Sequence, residues 1–73
     1  MKDERLRIEK DIELFEENIS RYSTNNEKKK EVVDLAKRYC DDAKYYLAKG
    51  DLLTAFGCIN YAHGLLDALI KIE

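Results

Sequence analysis

The amino-acid sequence predicts an all-α protein, an antiparallel up-down-up three-helix bundle. There is no proline in its 73 residues, so no position forces a helix to break. Apolar residues recur at three- and four-residue intervals along three consecutive stretches, the period that lays a stripe down one side of a helix. Only short polar breaks separate them, at residues 23–26 and 49–51, and short links make neighbouring helices antiparallel. The length is that of a single domain, 1–73. A composition 45% hydrophobic and 38% charged excludes a disordered tail.

The first helix is expected over residues 2–22. Ile8, Ile12, Phe15, Ile19 and Tyr22 are spaced four, three, four and three, a single heptad-like seam. Its other faces carry charge, including Asp3 with Arg7 and Glu17 with Arg21 at four-residue spacing, worth a few tenths of a kcal/mol each. This is an outer helix with one buried stripe. Thr24, followed three residues later by Glu27, matches a capping box that opens a second helix over 25–49. That helix has two adjacent apolar stripes, one of Val33, Ala36, Cys40, Ala43 and Leu47, the other of Val32, Leu35, Tyr39 and Tyr46. Two stripes imply two neighbours. Gly50 suits the left-handed cap that ends it, and Asp51 the N-cap of a third helix over 51–72. Ala36, Ala43, Ala55, Ala62 and Ala68 are expected to let the last two helices approach closely.

The third helix is the most apolar part of the chain. Its segment LLTAFGCINYAHGLLDALIKI has no charge before Asp67 and only Lys71 after it. At helical period Gly57, Asn60, Gly64, Asp67 and Lys71 form one stripe, with Phe56, Ile59, Leu66 and Leu69 on one flank and Cys58, Leu65 and Ile72 on the other. The length suffices to span a membrane. Asn60, His63, Asp67 and Lys71, with no basic flank on the N-terminal side, speak against such a span, and the charged start MKDERLRIEK is neither a secretion signal nor an anchor. A soluble cytoplasmic protein is expected. Gly57 and Gly64 each cost about 1 kcal/mol relative to alanine in a helix interior. They are read as the seat of a large side chain, Phe15 or a tyrosine; the alternative is a groove for a partner helix or a flat ligand.

Chemistry-bearing patterns are sparse. His63 precedes Asp67 by four residues, so the two can face each other across one turn, but Cys58 lies five positions back, off the His63 face, and a structural role is expected. Cys40, Cys58, His63 and Asp67 lack paired metal-ligand spacing, and Asn60 stands where a carboxylate-bridged di-iron motif needs Glu. No catalytic residue, metal or cofactor is expected. Cys40 and Cys58 fall at one height of the second hairpin and are read as free thiols, with a disulfide between them as the alternative. The net charge of −2 argues against a polyanion partner. Arg21 with Lys28, Lys29 and Lys30 is a solvated helix end or, alternatively, a local phosphate contact. Tyr45 and Tyr46 are adjacent and cannot face the same way.

Residues 45–68, YYLAKGDLLTAFGCINYAHGLLDA, resemble the signature of an uncharacterised archaeal family of small helical proteins, domain of unknown function 357. The resemblance covers the second hairpin closely and the first helix only as a charged amphipathic segment. It implies a three-helix bundle and an archaeal source, and offers no activity to carry over. A looser similarity, through Ala43, Tyr46, Gly50, Asp51, Ala55, Ile59 and Ala62, is to one tetratricopeptide hairpin, but a peptide-binding solenoid needs about three repeats.

The expected function is therefore that of a non-enzymatic helical protein-interaction module, not an enzyme. It self-associates as a homo-oligomer, a dimer, or docks on a helical protein partner through the third helix, at Gly57, Asn60, Gly64, Asp67, Tyr61 and Leu65. The alternative is an accessory nucleic-acid or nucleotide-binding domain using Arg21, Lys28, Lys29 and Lys30.

Overall fold

A computed structural model describes residues 3–72 and contains three helices, α1 (Glu4–Ser20), α2 (Glu27–Ala48) and α3 (Leu52–Lys71). They pack as a bundle about 40 Å long and 16 Å across. The expected start of α1 at Lys2 lies outside the described residues.

α1 buries Ile8, Ile12, Phe15 and Ile19, the seam its spacing predicts, with Tyr22 partly buried beyond it. It ends two residues early. Ser20 Oγ donates to the Glu17 carbonyl at 2.6 Å, and the Arg21 and Tyr22 amides reach back only three residues, to Asn18 and Ile19. Such tightened bonds close a last turn rather than extend it.

The start of α2 differs from the expected capping box. Asn26, not Thr24, is its N-cap, accepting a 3.0 Å bond from the Lys29 amide. Thr24 Oγ1 instead accepts from the Asn26 amide at 3.2 Å. Asparagine caps at least as well as threonine, so the two share the turn and the helix opens two residues later. At the other end Gly50 has φ +84. Its amide donates to Leu47 O and that of Asp51 to Tyr46 O, at 3.0 and 2.9 Å, the paired bonds of a Schellman ending. Asp51 Oδ1 then accepts from the Thr54 amide at 3.2 Å, so one residue leaves α2 and opens α3.

α2 and α3 meet through Ala36, Ala43, Ala55 and Ala62, all fully buried, where missing side-chain volume lets the helices close up. Ala68, expected among them, is exposed, because by that height the contact has passed to Leu66 and Leu69. α1 lies across the hairpin, joined to α2 by the ion pair of Glu16 with Lys44. That pair also raises the Lys44 pKa, chiefly through its hydrogen bond.

Candidate interaction surface

α3 buries Ala55, Ile59, Ala62, Leu66 and Leu69. Half a turn round from that row stand Gly57, Asn60, Gly64 and Asp67, all exposed. Tyr61 stands beside them at 51% exposure, and Leu65 is half-buried, packed against the core. Gly57, Asn60, Gly64 and Asp67 thus share one outward side of α3, with Tyr61 exposed beside them, while Leu65 turns toward the core.

The reading of the glycines as an internal seat is corrected. A Cβ built on Gly57 or Gly64 meets nothing within 4 Å. Phe15 packs elsewhere, edge-on to the His63 ring at 5.6 Å between centroids. The glycines point outward because the interior row runs through the alanines and large aliphatics on the opposite side of the helix.

Sequence reasoning missed one member of this face, Leu53, which is 83% exposed, while Phe56, read as a flank residue, is 41% exposed on the side toward α1. Leu53 precedes Gly57 by four residues, so helical phase alone places it on the glycine stripe. Ile70, near the end of α3, and Ile72, its C-cap, are also exposed. By length and composition alone this helix is long and apolar enough to cross a membrane.

His63 does not pair with Asp67. Its Nε2 lies 2.9 Å from the main-chain carbonyl oxygen of Asp11 on α1; a carbonyl only accepts, so Nε2 carries the hydrogen. With Phe15 against its ring, His63 links α1 to α3, and Asp67 stays exposed. Among the described residues no group of three or more His, Cys, Asp or Glu is placed to hold a metal ion.

Cys40 is buried and Cys58 half-buried, both as free thiols. Burial, and then the Glu16 charge, push Cys40 up to about 11; burial, then Asp42 and Asp51, raise Cys58. The folded chain holds the Cys40 proton more tightly than the unfolded one, so this contribution to stability is complete below the ordinary thiol value of 9.0 and fades as pH rises through about 11. Urea unfolding at about pH 8 and about pH 10 is expected to show a larger loss for the wild type than for Cys40→Ala. Equal losses would rule the effect out.

Two shallow clefts flank the bundle. One of about 180 Å³ lies between the N-terminal ends of α1 and α3, lined by Glu4, Arg7, Ile8, Leu52, Leu53 and Phe56. The other, about 310 Å³, lies beside the α1–α2 connection between Tyr22, Ser23, Thr24, Lys30, Val33, Asp34 and Lys37. Arg21, Lys28 and Lys30 are exposed and Lys29 is half-buried, with Lys30 Nζ 3.6 Å from Glu27.

Fold and surface together define a small three-helix-bundle protein with Gly57, Asn60, Gly64 and Asp67 exposed along α3. The chain belongs to the family described as protein of unknown function (DUF357), which it matches over residues 7–73. The likeness first read in the second hairpin thus extends through most of α1. No curated protein matches the chain.

Proposed function

We propose that this protein is a non-enzymatic helical interaction module, cytoplasmic, which self-associates or docks on a helical partner through the outer face of α3. The orientation of Gly57 and Gly64 carries this proposal. Each weakens the helix by about 1 kcal/mol relative to alanine, and neither makes room for anything inside the bundle. Bare backbone on a solvent face does, however, let another helix approach closely, and such approach is set by side-chain size at the contact. Leu53 and Tyr61 rim the stripe with apolar area, and tyrosine is enriched in interface cores.

Sedimentation at micromolar concentration tests this. The wild type is expected to associate, with itself or with a partner recovered from its native source. Gly64→Lys, which has room to fold because nothing stands near that position, is expected to abolish association. A wild type that stays monomeric and captures nothing, or a Gly64→Lys variant that associates unchanged, contradicts the proposal.

A further inference from the structure

The exposed side of α2 has the same character read in either direction. Glu31, Leu35, Arg38, Asp42, Tyr45 and Lys49 recur at intervals of four, three, four, three and four, which places them on one stripe. All six are exposed. Turned end for end about residue 40, Glu31 falls on Lys49, Leu35 on Tyr45 and Arg38 on Asp42: acid on base, apolar on apolar. Among the described residues Glu31, Arg38 and Asp42 take part in no ion pair. The Lys49 ammonium lies 5.3 Å from the centre of the Tyr45 ring. Two copies of this helix laid antiparallel bring every one of these charges to an opposite charge. Two parallel copies would set like against like.

α3 repeats the symmetry at the same height. The Tyr39 and Tyr61 rings lie 4.5 Å apart, which sets residues 39 and 40 of α2 level with 60 and 61 of α3. About the point between Asn60 and Tyr61, Gly57 exchanges with Gly64 and Leu53 with Ala68. A two-fold axis across the hairpin at this height lays α2 on α2 antiparallel and brings α3 of one copy alongside α3 of the other, with Gly57 at the level of Gly64 of the second copy.

We infer that the occupant of the α2/α3 face is a second copy of this chain, related by a two-fold axis that crosses the hairpin at the level of Tyr39 and Tyr61. The inference rests on the proposal that α3 is the docking face, and adds the partner and its register. A face two helices wide on a bundle 40 Å long is on the order of the 800 Å² that a stable interface buries on each side. In a two-fold interface each contact occurs twice, so Arg38 and Asp42 supply two ion pairs flanking the tyrosines at the axis.

Sedimentation equilibrium on the full chain with charge-reversal variants tests the register. Arg38→Glu and Asp42→Arg each set like charges across the axis twice, and each is expected to weaken association by about tenfold or more. Both positions are exposed, and circular dichroism is expected to show both variants folded. Mixed in equal amounts, the two variants are expected to recover association as a heterodimer, since the acid placed at 38 in one meets the base placed at 42 in the other, and the untouched Asp42 and Arg38 meet in turn. Recovery on mixing separates a contact between chains from an effect within one helix. Single variants that associate like the wild type overturn the inference, and leave α3 as docking face if Gly64→Lys still dissociates the chain. Weakening without recovery on mixing overturns it too. A wild type that never leaves the monomer overturns the inference and, if nothing else binds, the docking proposal with it.

Discussion

Replacing Phe15 by alanine is expected to leave the chain unfolded at room temperature. Phe15 is 1% exposed and is among the largest fully buried side chains of the bundle. It stands where α1 meets α3, edge-on to His63, whose Nε2–H is tied to the Asp11 carbonyl one turn before Phe15. Truncation removes the ring and leaves a cavity between helices already held apart by their backbones. Phenylalanine-to-alanine changes in cores cost about 3 to 5 kcal/mol, and a core of this size supplies net stability of about the same magnitude. The two quantities cancel, so the folded state loses its margin. Circular dichroism with urea titration reads the outcome, and Leu14→Ala, next in sequence but half exposed, is the control expected to stay close to wild type. A cooperative transition for Phe15→Ala displaced by less than about 1 kcal/mol would show that α1 is not integral to the core.

The second large effect has the opposite sign. Changing Gly57 and Gly64 together to alanine is expected to stabilise the monomer by about 2 kcal/mol, since each glycine costs about 1 kcal/mol of helix propensity and neither new methyl meets an atom within 4 Å. In a domain of this length that raises the melting temperature by roughly 8 to 16 °C. The measurement belongs at a dilution where the wild type is monomeric, because association stabilises by mass action. At higher concentration the same two methyls stand between the helices of the proposed dimer and are expected to weaken it. Greater stability with weaker association is the signature of glycines kept for contact between molecules. A melting temperature unchanged or lowered in the dilute monomer would mean that the glycines serve the isolated fold after all.

The architecture was legible because burial in this chain follows helical phase closely. Ile8, Ile12, Phe15 and Ile19 on α1, and Ala36, Cys40, Ala43 and Leu47 on α2, are the positions their spacing picks out and the positions that are buried. The α2–α3 turn was equally readable, since Gly50 and Asp51 act through bonds to residues three to five away. Thr24 misled because threonine and asparagine accept the same kind of bond, and only geometry shows which of Thr24 and Asn26 faces the helix start.

The proposed interaction stripe was half legible. That Gly57, Asn60, Gly64 and Asp67 share a side follows from their numbers, but α3 is apolar nearly all the way round, so composition leaves open which side turns inward. Chain folding resolves this by packing the alanines Ala55 and Ala62 against Ala36 and Ala43, where backbones approach most closely, and the glycines then fall outside. His63 is similar in kind. Its partner is a main-chain carbonyl on another helix, and every residue carries such a carbonyl, so no residue type announces it.

Local and periodic facts thus follow from residue identity alone: where helices run, how they are capped, and which positions lie on one stripe. They depend on chemistry within one or two turns of chain. The direction each stripe faces, the neighbour each ring meets, and the matching heights of Tyr39 and Tyr61 arise only when three helices compete for the same interior, because that competition sums over the whole bundle and no single segment records its result.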